Sequence, residues 1–245
     1  INPSATFERV TVGANGVTLR DSAAAHIMIG SGEWCGVNAS VMLSEIMPQL
    51  PGPGESIYVR HYVAFGNTFD AAQNGKQPGW AAAGANCGSG GNPCDGTDGW
   101  TARGKMFTGD VCEADVGEKT QVPLDNYVYH ADMAGNYGEN LDWSNMGCGQ
   151  PNVAQQGTWY CIEQKLTMNT GQTGSSSNLD GELDVWVDDV QVANGTFRWD
   201  HTLNNNYPAG RFWVNVYHGG GTPAPQDMDM YIDDIVISES RIGCE

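Results

Sequence analysis

The chain has 245 residues, 40% hydrophobic and 16% charged, with 33 glycines; that length can bury one sizeable core, and no stretch is long and apolar enough to cross a membrane as a helix. A formal net charge of −18 excludes duplex nucleic acid as a partner, because such binding needs a Lys/Arg surface that neutralises phosphates. Seven cysteines without paired CxxC spacing exclude a zinc ribbon and point to disulfides in a secreted protein.

The chain begins at Ile1 with neither methionine nor apolar leader, as expected where a signal segment has been removed or was never included. Val10 and Val12, a turn at residues 13–16, then Val17 and Leu19 predict an N-terminal hairpin. Residues 39–48 fit a short helix or a strand edge, closed either way by Pro48, Pro51 and Pro53. Residues 57–65 alternate as a strand, with Ile57, Val59, Val63 and Phe65 on one face and Tyr58, Arg60 and Tyr62 on the other, where Arg60 and Tyr62 suit sugar contact. Residues 67–98 read as a long loop that carries Gly75-Lys76-Gln77-Pro78-Gly79 and a segment between Cys87 and Cys94 that a disulfide would restrain.

Strands are expected over residues 100–107 and 126–131, with an acidic insertion around Glu113, Asp115 and Glu118 between them. A second loop over 132–156 carries Tyr137, Trp143 and Cys148. The last third has the clearest pattern, with strands at 159–169, 181–192, 211–218 and 228–238 between Gly/Ser/Asn turns. Short strands at this spacing predict an all-β sandwich of two antiparallel sheets, taken as a single domain over 1–245.

Two sets of side chains carry chemistry. In extended strands Tyr127 and Tyr129 point together, as do Thr101, Arg103 and Lys105 on another strand. Phe212, Val214 and Val216 suit a core, which turns Arg211, Trp213, Asn215 and Tyr217 outward; flat rings beside cations on an outer face are typical of a carbohydrate groove. Arg60, Lys76, Arg103, Lys105, Lys119 and Lys165 are six of the eleven basic residues and fall mid-chain, so local potential opposes the net charge and admits an acidic polysaccharide. His61 and His130 fall opposite the polar residues of their strands and read as buried, hydrogen-bonded histidines. Asp227, Asp229, Asp233 and Asp234 form an acidic cluster open to a structural calcium; no other cofactor or metal is expected, and the protein is expected to act as a monomer.

Gly75-Lys76-Gln77-Pro78-Gly79, Gly99-Trp100-Thr101-Ala102-Arg103, Tyr127-Val128-Tyr129, Gly157-Thr158-Trp159 and residues 181–188 follow one another in the order of a known pattern. Together they resemble the family 14 polysaccharide lyases and the related glucuronan lyases over about residues 55–236. The resemblance implies a β-jelly roll that cleaves alginate or glucuronan by β-elimination. It implies that Lys76 matches the family's active-site lysine, Thr101 and Arg103 a hydroxyl and arginine pair in the groove, and Tyr127 and Tyr129 its tyrosine pair. The chain departs from the pattern at Thr101, where serine is common, in the acidic insertion over 108–125, and in the cysteine-clipped loop after Gly79.

In such a reaction the C5 proton lies beside a carboxylate whose charge must first be neutralised, here by Arg103 or Lys76. Tyr129 is the expected base or acid, with Tyr127 as its partner or as a substrate contact. Two other functions compete. Glu182-Leu183-Asp184 begins like the paired-carboxylate strand of a glycoside hydrolase, but Val187 stands where the second glutamate would be needed. A carbohydrate-binding module would share the sandwich and the aromatic groove without needing paired tyrosines beside Lys76.

Overall fold

The computed structural model describes residues 6–70, 75–106, 121–143, 153–171, 177–202 and 207–244. Its elements are β1 (Thr6–Val10), β2 (Ala24–Ile29), β3 (Cys35–Met42), α1 (Leu43–Ile46), β4 (Ser56–Phe65), β5 (Gly75–Ala82), β6 (Thr101–Met106) and β7 (Gln121–Tyr129), then β8 (Glu139–Leu141), β9 (Val153–Gln155), β10 (Trp159–Thr167), β11 (Gly181–Val187), β12 (Val190–Phe197), β13 (Ala209–Tyr217) and β14 (Met228–Ser238). One sheet runs β1-β2-β14-β4-β10-β11-β12; the other runs β3-β13-β5-β6-β7-β8, with β9 also pairing β7. The pairings are antiparallel, and the two sheets pack as a jelly-roll sandwich.

Strand alternation builds the core. From β4 come Ile57, Val59, Val63 and Phe65, from β13 Phe212, Val214 and Val216, and from β6 and β7 Ala102, Met106, Leu124 and Val128. Aromatic rings fill the space between layers: Trp80 lies edge-on to Phe212 at 5.7 Å, and Trp199 packs on Phe197 at 4.8 Å and on Trp100 at 5.1 Å. Burying each such ring contributes roughly 1.5–3 kcal/mol.

Several sequence expectations are revised. β1 pairs with β2, so Val17 and Leu19 belong to the connecting segment and not to a hairpin strand; Val17 packs against Tyr231. Residues 39–48 divide between the end of β3 and α1, which stops at Met47 just before Pro48. Residues 181–192 are two strands. Asp188 and Asp189 both take positive φ (48° and 65°), the requirement of a tight hairpin turn, and so reverse the chain between β11 and β12. The second loop contains β8 and β9. The acidic insertion with Glu113, Asp115 and Glu118 lies outside the described residues, as do Lys119, Cys112 and Cys148.

The largest revision concerns residues 75–79, which form the first half of β5 inside the second sheet. Across β6, Gln77 pairs with Gly104 and Gly79 with Arg103, so Pro78 is an extra, unpaired residue in a bulge. A proline fits there because no ladder hydrogen bond is asked of it. The bulge also reverses side-chain parity: Trp80 and Ala82 face the core, while Lys76, which plain alternation would place beside them, faces the opposite side.

Candidate active site

The outer face of the second sheet carries the polar residues in adjacent rows. Register places Tyr217, Lys76, Lys105 and Asp125 side by side on β13, β5, β6 and β7. The next row holds Trp213, Gly79, Arg103 and Tyr127, and the one beyond it pairs Thr101 with Tyr129. A cavity of about 620 Å³ opens on these rows, with Lys76, Arg103, Tyr127 and Tyr129 on its floor and Trp213, Asn215 and Tyr217 on one flank. Ser89, Gly90, Gly91 and Tyr137 line it on the side of the clipped loop, and Gly220 and Gly221 complete it.

Each floor residue is held. Lys76 is 6% exposed, and its Nζ lies 4.1 Å from the centre of the Tyr127 ring. Burial first, then the charges of Arg103 and Lys105, lower its pKa from 10.5 to about 7. Arg103, also 6% exposed, donates from Nη1 to Asn215 Oδ1 at 3.0 Å and from Nη2 to the Gly88 carbonyl at 3.3 Å. The Trp213 ring carries Arg103 at 4.9 Å and Arg211 at 4.5 Å, while its indole N–H donates to Asn38 Oδ1 at 2.7 Å.

Tyr127 and Tyr129 meet edge to face, with ring centres 5.4 Å apart. Burial first, then the neighbouring Tyr129 hydroxyl, push the Tyr127 phenol up to about 12 despite the nearby Arg103. Tyr129 is 1% exposed, yet it points away from the main core and packs under the Cys87–Cys94 disulfide, where the chain closes the loop expected from its composition. Lys105 donates to Asn140 Oδ1 at 2.9 Å and lies 3.8 Å from Asp125. Burial outweighs their mutual attraction: Lys105 is lowered, and Asp125 is raised to about 7.

Some sequence-selected residues lie elsewhere. Arg60 and Tyr62 are on β4, at the centre of the other sheet and on its outer face, where Arg20 stacks on the Tyr62 ring at 3.2 Å. They therefore do not line the groove: the strand parity was right, but the sheet was not legible from parity alone. Thr101 faces the groove side, but its hydroxyl donates to the Gly88 carbonyl at 2.9 Å and is used in holding the clipped loop. Asp125 was missed, although its place two residues before Tyr127 puts it on the same face.

His61 is buried against Phe212 with neither ring nitrogen hydrogen-bonded, and burial lowers it to about 4, so it is a neutral core residue. His130 bonds Glu139 at 3.0 Å. Glu182 and Asp184 both engage Lys165, at 2.8 and 3.2 Å, on the other sheet, and Val187 is in the core. The four late aspartates face separate partners: Asp229 bonds His26 at 2.6 Å, Asp227 accepts from the Ser31 N–H, and Asp234 pairs with Arg20 at 3.3 Å, while Asp233 pairs with Tyr62 in register. A second disulfide joins Cys161 to Cys244, and Cys35 is free and exposed.

No family model and no curated protein matches the sequence. Among solved structures, the alginate lyase Aly36B in complex with an alginate trisaccharide superposes with a TM-score of 0.69 at 20% identity, over 95% of this chain and 88% of that one. The alginate lyase vAL-1 from Chlorella virus gives 0.66 at 18% identity over 90% and 87%. The endo-beta-1,4-glucuronan lyase of the fungus Trichoderma reesei gives 0.53 at 12% identity over 97% and 91%. The chain has their fold. At these identities the likeness extends to the jelly roll and not to the chemistry, which rests on the groove itself.

Proposed function

We propose that the protein is a secreted polysaccharide lyase that cleaves a polyuronate, alginate or glucuronan, by β-elimination. One observation carries the reading: a buried lysine with a pKa near 7, a clamped arginine and a pair of tyrosines in edge-to-face contact converge on one cavity. The neighbours' own substrates, as alginate and glucuronan lyases, support the choice of polymer. Two disulfides support an oxidising compartment.

In the proposed reaction the remaining N–H groups of Arg103 meet the C6 carboxylate, so that the charge developing beside it as the C5 proton leaves is offset where water is excluded. Neutral Lys76 Nζ takes that proton. The C5 electron pair becomes the C4–C5 double bond as the C4–O4 bond breaks, and a phenol of the Tyr127–Tyr129 pair protonates O4. The Lys76 ammonium, beside the Tyr127 ring, returns its proton to the phenolate and resets the site. The raised Tyr127 pKa, near 12, supports Lys76 over a tyrosine as the base and leaves the tyrosines the role of acid in this proposal, because Tyr127 is a poor phenolate. Trp213, Arg211 and Tyr217 supply stacking and charge for adjoining sugars.

The test is incubation with a panel of polyuronates while following the ultraviolet absorbance of the conjugated sugar end. Growth of that signal with alginate or glucuronan is the expected result. Binding without any product would instead favour a carbohydrate-binding module.

A further inference from the structure

The loop between Cys87 and Cys94 is closed by its disulfide and by backbone bonds from Gly88 N–H to Asn92 and from Asn92 N–H to Ser89. Its inner face meets the groove at two points. The Gly88 carbonyl accepts from both Thr101 Oγ1 and Arg103 Nη2, and the disulfide packs on Tyr129 in a cluster separate from the main core. Gly88 has φ +87°, and a Cβ there would fall 2.6 Å from Thr101 Cγ2, so only glycine brings its carbonyl this close to β6. Arg103 is consequently gripped from opposite sides, by the loop at Nη2 and by Asn215 at Nη1. Nothing in the loop belongs to the main core between the sheets.

We propose that the Cys87–Cys94 loop is a positioning element of the groove, which sets the Arg103 guanidinium through the Gly88 carbonyl and the Tyr129 ring through the disulfide, with Thr101 as the latch that holds it. This assignment rests on the lyase reading. Thr101 is on this view a positioning residue and not a sugar contact. The same arrangement accounts for a buried hydroxyl, an unusual glycine and a disulfide that the sandwich itself does not use.

Steady-state kinetics of Thr101→Val, Thr101→Ser, Gly88→Ala and the Cys87→Ser/Cys94→Ser double variant test it, on the polyuronate that the native protein cleaves best. Thr101→Val keeps the shape and deletes the latch; losing one buried hydrogen bond should lower kcat/KM roughly five- to tenfold and the melting temperature by only about 2–4 °C. Thr101→Ser should restore most of the loss, and Gly88→Ala and the double cysteine variant should fall at least as far. In an Arg103→Ala background, Thr101→Val should cost clearly less than it does in the native protein, because one of the two groups the loop positions is gone. Full activity in Thr101→Val and the cysteine variant, or losses that simply multiply in the Arg103→Ala background, would overturn the assignment while leaving the lyase reading intact. A native protein that produces no unsaturated end from any polyuronate would overturn both.

Discussion

Lys76 is the base of the proposed reaction, and its position has a cost that can be measured. Its folded-state pKa of about 7 lies below the 10.5 of an exposed lysine, so between those limits the folded chain binds fewer protons than the unfolded one. The stability linked to this group is therefore complete above about pH 10.5 and is lost as pH falls towards 7. Lys76→Met should abolish turnover yet raise the melting temperature at pH 7 and below, with the gain shrinking as pH approaches 10.5. Thermal melts across pH check this; equal curves for the two proteins would mean that Lys76 is not desolvated. In the native protein, kcat/KM should climb with pH through about 7 and show no alkaline fall attributable to Tyr127, which holds its proton to about 12. Tyr129→Phe keeps the ring under the disulfide but removes a proton-transfer group, so turnover should drop by about 10²- to 10⁴-fold while polymer binding persists. Tyr127 and Tyr129 share a face by the period of a strand, and this much was legible in the sequence. The raised pKa of Tyr127 and the lowered pKa of Lys76 were not, because each depends on burial and on neighbours brought in by the closed fold.

At the scale of elements, two glycines hold the geometry. A Cβ on Gly79 would lie 2.3 Å from the Ala102 carbonyl oxygen and 2.6 Å from Arg103 Cα, both backbone atoms that cannot give way. Gly79→Ala should therefore disturb the Pro78 bulge, lower stability and, by turning Lys76, lower activity beyond what the stability loss explains; denaturant unfolding beside kinetics separates the two effects. Gly138 approaches both tyrosines, with a Cβ there falling 2.7 Å from Tyr129 Cε2 and 2.9 Å from Tyr127 Cε1. Period-two reading recovered the faces of β4, β6, β7 and β13, because an unbroken strand has only two sides. Two strands were misread: residues 75–82 read as loop, where Pro78 breaks the alternation of β5, and Asp188-Asp189 turns a supposed single strand into a hairpin. Arg60 and Tyr62 show a different limit. Their face was legible, but which sheet β4 joins follows from long-range pairing with β10 and β14.

At the scale of the molecule, a chain of net charge −18 gathers Lys76, Arg103, Lys105 and Arg211 on one face of one sheet. A polyanion approaching it meets repulsion from the acidic exterior and attraction only near the groove. Moderate salt screens charges beyond about 10 Å at 0.1 M, whereas contacts in a desolvated groove are screened much less. Activity on polyuronates should hold or rise with added salt before falling at high ionic strength, and a steep loss from the lowest salt upward would count against this charge arrangement. The sandwich was legible from strand spacing, and the jelly roll from the order of the motifs; the sheet order was not, since it is a property of the closed fold.

The most direct test of elimination in this groove is cleavage of a polyuronate in heavy-oxygen water with mass analysis of the products. β-Elimination by Lys76 and the tyrosine pair breaks the C4–O4 bond without adding water, so fragments should carry an unsaturated non-reducing end and no label introduced by bond cleavage. Fragments that take up heavy oxygen during cleavage and lack the double bond would mean hydrolysis, and would contradict the account.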